Sequence, residues 1–208
     1  MSLYSELDSL GLDELITKFQ GTDPEEKVYD SEHGVYFEEL AYQILKQGED
    51  GYQFLIKTIS TTDFVRQRSI LAALSTAKQH QPEVQQLLYV FLDDHRPLIV
   101  SEAIRGLESL EDINFYDKVL SKLTHSSPYV RSAVLNYVAR IDGKSSKQIL
   151  IAALADEHFV VRETAVDALG ELEIIEAYPY LKPLLNDPHP DVQQATETAI
   201  DSLNEVAR

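Results

Sequence analysis

An apolar residue followed by small and apolar side chains recurs along this chain at a nearly constant interval. Starting from Val161, the same arrangement lies 31 residues back at Val130, another 31 back at Ile99, and 31 forward at Val192. A further copy begins at Val65, 34 residues before Ile99, and the three extra residues fall in a polar connection. A fixed period of this length is typical of repeat architectures in which each unit is one supersecondary element.

A second apolar column keeps the same register. Seven residues before an anchor lies Leu92, Leu123, Leu154 or Leu185, whereas the earliest copy has Thr58 at this position. Two columns in phase indicate that every repeat contains two elements of the same kind.

The spacing within a repeat predicts α-helices. In the fourth clear copy the apolar residues fall four, three and four positions apart, at Val161, Ala165, Ala168 and Leu172. That spacing places them on one face of a helix. A second apolar stripe at 149–154 precedes it, and no useful run alternates with the period of two that a strand requires.

Polar breaks separate the two helices of each repeat. The segment 156–158 is Asp-Glu-His, and the corresponding breaks in other repeats contain Pro97, Pro128 or Pro190. Proline is favourable in the first turn of a helix because its missing N–H has no partner there in any case. The Asp and Ser residues of these breaks are suited to capping the second helix.

A single helix pair cannot bury its apolar face, so the pairs must stack on one another. The sequence therefore predicts an all-α fold, an α-α superhelix formed as a right-handed solenoid of about five to six helix pairs. We expect one repeat domain over 1–208, with five clear repeats in 51–208, the last of them a polar cap. Residues 1–50 are expected to form a degenerate acidic capping repeat, with helices near 3–19 and 35–45 around a long loop at about 20–34.

These columns resemble HEAT repeats, in particular the short bacterial type called phycobilisome-lyase HEAT-like. The closest match to that pattern consists of Leu154, Asp156, Val161, Arg162, Ala165, Leu169 and Gly170. The resemblance implies a structural role for Asp156 and Arg162, since the turn Asp and Arg of such repeats bond one another along the stack. Arg66 and Arg131 keep the arginine column, whereas Val100 and Gln193 depart from it.

Composition narrows the range of functions. The net charge is −17, and residues 1–50 contribute −10 of it through three lysines and thirteen acidic residues. Phosphate backbones and anionic membranes repel such a chain, so neither nucleic acid nor membrane is expected as a partner. No signal peptide or membrane span is evident, and without cysteine there is neither a disulfide nor a thiolate metal site, so a cytoplasmic location is expected.

The candidate reactive residues do not form a recognisable catalytic or metal site. Four of the six histidines fall in the turns inside repeats, and packed helices lie too far apart for turn histidines of neighbouring repeats to share an ion. The paired carboxylates are adjacent residues on exposed segments, not pairs in contrasting environments. We therefore predict a protein that is not an enzyme and has no cofactor, no metal and no catalytic residue.

The remaining prediction is a surface for a protein or peptide partner, of unknown identity, on a curved face formed by the second helices. Its residues lie on the side of these helices that is turned away from the core. They are Gln67, Arg68, Leu71, Ser101, Arg105, Ser132, Asn136, Arg140, Glu163, Asp167, Glu171, Gln194 and Thr198.

Three alternatives stay open. Named members of the family that the chain resembles attach or detach bilin chromophores, so a bilin lyase-like or chromophore-handling role is possible. Another HEAT-like class binds DNA along a basic face, which the charge of this chain disfavours. The third alternative is a structural element that associates with itself.

Overall fold

The computed structural model describes residues 4–21 and 31–206, and for 31–33 it describes the backbone alone. Within these ranges the chain consists of helices and turns, with no strand. This confirms the predicted all-α class. The chain divides into two compact units, unit 1 at Met1–Val90 and unit 2 at Phe91–Arg208.

Unit 1 contains two helix pairs and the start of a third. Its helices are α1 (Leu12–Gln20), α2 (Ser31–Leu45), α3 (Glu49–Thr58), α4 (Phe64–Leu74) and α5 (Gln81–Phe91), the last ending at the boundary with unit 2. A 3₁₀ turn at Ser5–Leu7 precedes α1, and another at Lys78–His80 precedes α5.

Unit 2 continues the alternation of first and second helices. Its helices are α6 (Pro97–Ser109), α7 (Tyr116–Leu120), α8 (Pro128–Asp142), α9 (Lys147–Ala153), α10 (Phe159–Glu171), α11 (Tyr178–Leu181) and α12 (Pro190–Val206). The first helices α7 and α11 are short and continue as 3₁₀ segments at Ser121–Thr124 and Lys182–Asn186. Pro183 accounts for the change after α11, because it has no N–H for an i−4 hydrogen bond.

The expected helix starts are observed in the second helices. Pro97, Pro128 and Pro190 each begin a helix, and Asp63 caps α4 by accepting hydrogen bonds from the backbone N–H of Val65 and Arg66. The N-terminal segment differs in detail. Helix α1 begins nine residues later than expected, and α2 begins four residues earlier; most of the predicted loop, residues 22–30, lies outside the described residues.

The core of unit 2 lies between the first and second helices. Helices α6, α8, α10 and α12 pack side by side in chain order. Buried side chains from α9 and α11, among them Leu150 and Leu181, fill the space against α10 and α12. The second helices thus form a continuous row whose outward side is available to solvent.

Two glycines allow this close packing. A Cβ at Gly170 of α10 would come within 2.9 Å of the Cβ of Ala199 on α12. In unit 1, a Cβ at Gly51 of α3 would overlap the carbonyl oxygen of Ile44 on α2. Both helix pairs therefore approach to a distance that only glycine permits.

Two glutamates occupy a backbone conformation that favours glycine. Glu111 and Glu173 have φ of 50° and 51° in the turns that follow α6 and α10. The N–H groups of the next residues, Asp112 and Ile174, reach back to the carbonyl oxygens of Leu107 and Leu169. These are six-to-one bonds of the kind that end helices with a left-handed residue.

Across the part of the chain that the structure describes, no helix combines the length and apolar character needed to cross a bilayer.

Candidate binding surface on the second helices

Charge pairs between successive repeats hold the turns of unit 2 in place. The guanidinium of Arg131 on α8 donates two hydrogen bonds, of 2.9 and 2.7 Å, to Asp156 in the turn before α10. Arg162 on α10 makes the same bidentate contact, at 2.7 Å twice, with Asp187 in the turn before α12. Each arginine also donates to carbonyl oxygens of its own turn, such as those of His125 and Asp156. We call these contacts the Arg–Asp ladder.

The ladder confirms that the turn Asp and Arg have structural roles, and it specifies their direction. Each arginine reaches forward to the aspartate of the following repeat. Because the Arg162 guanidinium donates to it, the pKa of Asp187 is held below the usual value of an aspartate, against the opposing effect of its burial. Bidentate, mostly buried pairs of this kind fix the register of the two turns.

One Arg–Asp pair of the ladder is absent, and both of its positions carry other residues. The second helix α6 has Val100 at the arginine position, and the turn that should receive it has His125 where the later turns have Asp156 and Asp187. His125 keeps the local part of the role, because its Nδ1 accepts a 3.0 Å hydrogen bond from the Ser127 N–H. Neither an unpaired arginine nor an unpaired aspartate is therefore left at this junction.

Two further turn histidines, His158 and His189, cap helices and stack on an aromatic ring. Nδ1 of His158 accepts from Val160 N–H, and Nδ1 of His189 accepts from Asp191 N–H, each at 3.3 Å. The His189 ring stacks on Phe159 with the centroids 3.5 Å apart, and His158 stacks on the same ring at 5.0 Å. These contacts give both histidines a structural role in their turns.

The outward positions of α10 carry a row of carboxylates. Glu163, Asp167 and Glu171 lie one turn apart along the helix, and Asp167 and Glu171 are exposed. Among the described residues, none of the three has an ion pair or hydrogen-bond partner for its side chain. Partial burial of its carboxyl group raises the pKa of Asp167 above its usual range, and the negative charges of Glu163 and Glu171 raise it further. We call these three residues the acidic row.

The basic residues predicted for the same face are paired with acids nearby. Nη2 of Arg140 on α8 donates a 2.6 Å hydrogen bond to Glu111, and Arg105 on α6 lies 3.8 Å from Glu102. Burial raises the pKa of Glu108, although Arg105 and Arg140 act in the opposite direction. The charges of these two arginines are thus offset by neighbouring carboxylates.

The polar positions between these charges also lie on the second helices of unit 2. The hydroxyl oxygens of Ser132 on α8 and Thr164 on α10 are 2.8 Å apart, so they link neighbouring helices. Asn136, Gln194 and Thr198 are exposed. Together with the acidic row and the two arginines they line one row of adjacent helices, which we call the second-helix surface.

Three of the residues predicted for this surface are not accessible. Gln67 is buried and its side-chain amide donates a 2.8 Å hydrogen bond to the Ile59 carbonyl, while Leu71 is fully buried in unit 1. Ser101 is 2% exposed and its hydroxyl donates to the Leu98 carbonyl. The expectation that these side chains face outward is wrong, because α4 and α6 turn these positions towards the protein interior. Arg68 is partly exposed in unit 1.

The sequence reasoning missed residues that border the surface. Glu111 was not anticipated, because it lies in the turn after α6 and meets Arg140 only through the folded backbone. It helps line a groove of about 380 Å³ with Arg140, Ile113 and Ile141. Glu197 and Asp201 extend the exposed acidic character onto α12. Glu197 lies three residues after Gln194, and Asp201 lies three residues after Thr198, so helical spacing was a signal that could have included them.

Within the described ranges, no cluster of three or more His, Asp or Glu side chains is arranged so that it could hold a metal ion.

Comparison with known proteins identifies the repeats. Residues 116–201 match the model of the family described as HEAT repeats. Deoxyhypusine hydroxylase-B of Oryza sativa subsp. japonica is 28% identical over 130 residues, which are 61% of this chain and 43% of that protein. The chain thus spans less than half the length of the curated relative that it matches.

Solved structures support the same fold. YibA of Escherichia coli has a TM-score of 0.73 at 19% identity, with 98% of this chain and 77% of that one covered. The complex of CpcE and CpcF of phycocyanin lyase from Nostoc sp. PCC7120 has a TM-score of 0.59 at 18% identity, covering 88% and 71%. A designed armadillo repeat protein in complex with the peptide (KR)4 has a TM-score of 0.56 at 16% identity, covering 94% and 100%. At these identities the likeness concerns the fold, which is that of HEAT- and armadillo-like repeat solenoids.

Proposed function

Because residues 116–201 match the model of HEAT repeats, we propose that the chain is a non-catalytic scaffold that binds a protein or peptide partner along the second-helix surface of unit 2. The partner presents basic side chains to the acidic row and polar groups to its neighbours. Repeat proteins use such extended surfaces, built from equivalent positions of successive units, to hold elongated ligands.

The observation that carries the proposal is a difference in how the charges of unit 2 are used. Charges at the turns are paired, as in Arg131 with Asp156 and Arg162 with Asp187. The three carboxylates of the acidic row have no such partner among the described residues, and the pKa of Asp167 is raised in part by its two neighbours. Like charges at i and i+4 on a helix cost roughly 0.2–0.5 kcal/mol per pair, so this row does not serve the stability of α10.

The neighbouring helices complete the recognition surface. Exposed Asn136 on α8 and exposed Gln194 and Thr198 on α12 supply hydrogen-bonding groups on either side of the acidic row. A basic segment lying across α10 would therefore meet carboxylates in the centre and neutral polar groups at the flanks. Charge complementarity of this kind determines which partners are accepted and how fast they bind.

Charge reversal at the centre of the surface tests the proposal. The probe is a labelled peptide of alternating lysine and arginine, and its binding is followed by fluorescence anisotropy. We expect the double variant Glu163→Lys/Asp167→Lys to bind the peptide about tenfold more weakly than the wild type, a difference of about 1.4 kcal/mol. Its melting temperature should not fall, since lysine at 167 attracts Glu171 and the repulsion between 163 and 167 is only exchanged for one of similar size.

A matched control separates local recognition from general attraction to a chain of net charge −17. The double variant Asp50→Lys/Asp117→Lys makes the same change in net charge at exposed positions on the first helices α3 and α7. It should retain most of the affinity. Equal loss of affinity in both variants would contradict a defined site on α10.

The similarity to rice deoxyhypusine hydroxylase-B favours a second candidate, an enzyme that acts on deoxyhypusine. The matched length is less than half of that protein, so the similarity leaves a scaffold and an enzyme both open. The chain would be incubated with a protein that carries deoxyhypusine, with dioxygen and a reductant supplied so that one oxygen atom can be inserted and the other released as water. The product would be examined by mass spectrometry. Gain of one oxygen atom per residue would establish the enzyme; an unchanged mass together with peptide binding favours the scaffold.

A further inference from the structure

A groove opens on the first-helix side of unit 2, away from the second-helix surface. It has a volume of about 470 Å³ and lies between the 3₁₀ segment after α7 and the helix α9. Apolar side chains form most of its lining, with the paired Arg131 and Asp156 at one side. The lining residues used below are Leu123, Ile149, Ala152 and Ala153.

One residue that lines the groove is smaller than its counterparts in the neighbouring repeats. Ala153 corresponds to Lys122 one repeat earlier and to Leu184 one repeat later, at the same interval of 31 residues. Lys122 reaches across its own junction and donates a 3.0 Å hydrogen bond to Asp93. Leu184 packs against the core of unit 2. Ala153 also packs against this core, but its single methyl group fills less space than either of those side chains.

Large apolar side chains are exposed on the next first helix, α11, and on the 3₁₀ turn that leads into it. Ile175, Tyr178 and Tyr180 are 44%, 38% and 53% exposed. They lie within six consecutive residues, although the described chain has only ten large apolar side chains that are this exposed. Tyr180 occupies the position one repeat after Ile149, which lines the groove.

The starts of α9 and α11 are joined by hydrogen bonds, and Tyr180 repeats the position of groove-lining Ile149, so the groove and Tyr180 lie on the first-helix side of unit 2. Lys147 at the start of α9 donates a 3.1 Å hydrogen bond to Glu176 before α11, and Lys144 donates to the Glu173 carbonyl. These lysines offset the nearby glutamates. This face therefore lacks the excess negative charge that would keep two copies of a chain of net charge −17 apart elsewhere.

We propose that this face, residues 147–155 with 175–180, is a self-association surface on which Tyr180 of each of two copies occupies the groove of the other. A twofold interface uses the same patch on both copies, so that patch must carry both the projection and its receptacle. The α9–α11 face carries both. The inference concerns the opposite side of the helix row from the second-helix surface and does not depend on the proposed function.

Sedimentation velocity over a range from low micromolar to near-millimolar concentration tests the proposal. The wild type should shift from monomer towards dimer as the concentration rises, as is typical of small interfaces. Ala152→Lys places a long side chain across the groove at an exposed helical position, and Tyr180→Ser removes the projection. Each variant should stay monomeric over the same range.

Matched controls make the same chemical changes elsewhere. Asn204→Lys adds a lysine to an exposed position of α12, and Tyr129→Ser removes a tyrosine that is 50% exposed at the start of α8. Both should dimerise like the wild type. A wild type that stays monomeric throughout, or variants at 152 and 180 that dimerise normally, would overturn the proposal.

Mixing the two monomeric variants gives a sharper test. The Ala152→Lys chain retains Tyr180, and the Tyr180→Ser chain retains an open groove, so a mixed pair restores one of the two contacts. The mixture should therefore form more dimer than either variant alone. No gain on mixing would contradict the reciprocal arrangement.

Discussion

At the scale of single residues, the close approach of α3 to α2 depends on the absence of a side chain at Gly51. Gly51 lies where any Cβ would overlap the backbone carbonyl oxygen of Ile44. The neighbouring atoms belong to a helix backbone and cannot rotate away. We expect Gly51→Ala to lower the free energy of unfolding by about 3 kcal/mol, as measured by urea denaturation.

Gly34 provides the control, because a Cβ there meets no atom within 4 Å. It lies inside α2, and alanine is favoured over glycine in helices by roughly 0.5–1 kcal/mol. Gly34→Ala should therefore stabilise the protein slightly. If the two substitutions had similar effects, the close approach would not be the cause.

The turn after α10 offers a change in the opposite direction. Glu173 has φ of 51°, a conformation that costs an ordinary residue roughly 1–2 kcal/mol and that glycine adopts freely. Since glycine also loses more entropy on folding, Glu173→Gly should raise the free energy of unfolding by up to about 1 kcal/mol. Gly143 has φ of 54°, and a Cβ there would meet no atom within 4 Å. Gly143→Ala should therefore lower the free energy of unfolding in the same assay, because of backbone strain alone.

At the scale of the elements, the Arg–Asp ladder determines how the turns of successive repeats are held. The Asp187 carboxylate is almost fully buried and receives both hydrogen bonds from Arg162. We expect Asp187→Asn to cost about 3 kcal/mol, because the guanidinium is left without its charge partner in a buried place. Asp93→Asn removes a mostly exposed carboxylate that pairs with Lys118 and Lys122, and should cost less than about 1 kcal/mol.

The difference in stability between the wild type and Asp187→Asn should depend on pH, because the pKa of Asp187 is lowered in the folded protein. A carboxylate whose pKa is lower in the folded state stabilises the protein above the pKa of the unfolded chain, about 3.9 for aspartate. That stabilisation is lost as the pH falls further, through the pKa of the folded state. Urea titrations of wild type and Asp187→Asn should therefore differ most near neutral pH and converge in acid. A constant difference would mean that the ion pair is not responsible.

The sequence predicted elements best where one residue type has one physical role. Pro97, Pro128 and Pro190 mark helix starts, because proline is tolerated in the first turn and not within the helix. The outward positions were predicted correctly on α10 and α12, and not for Gln67 or Ser101. A fixed register assumes that every second helix presents the same face to solvent. The rotation of each helix about its axis depends on the size of the neighbouring side chains, and the repeat period carries no information about that size.

At the scale of the whole molecule, unbalanced negative charge opposes compactness. A net charge of −17 over 208 residues produces repulsion that added salt screens, as the Debye length falls from about 30 Å at 0.01 M to about 8 Å at 0.15 M. The melting temperature, measured by calorimetry, should rise over this range of sodium chloride. The buried pairs of the ladder are screened much less, so they do not reverse the trend.

The same salt should weaken binding of the basic peptide to the second-helix surface. Opposite responses of stability and affinity would show that the charges that attract the partner are not those that hold the repeats together. A parallel fall of both would place the acidic row among the stabilising charges of the fold. Glu163→Lys/Asp167→Lys should have a smaller salt response in both measurements.

The forward direction of the Arg–Asp ladder limits how repeats of this protein can be recombined. A segment that ends after Arg131 or Arg162 needs a successor with an acceptor in its turn, whereas Val100 and Gln193 make no such demand. A chimaera joined just after Val100 therefore tolerates a following turn without aspartate, as His125 already demonstrates. The same graft placed after Arg162 would leave a mostly buried guanidinium without its charge partner. In unit 2, the residue at the arginine position therefore indicates which junctions accept a foreign repeat.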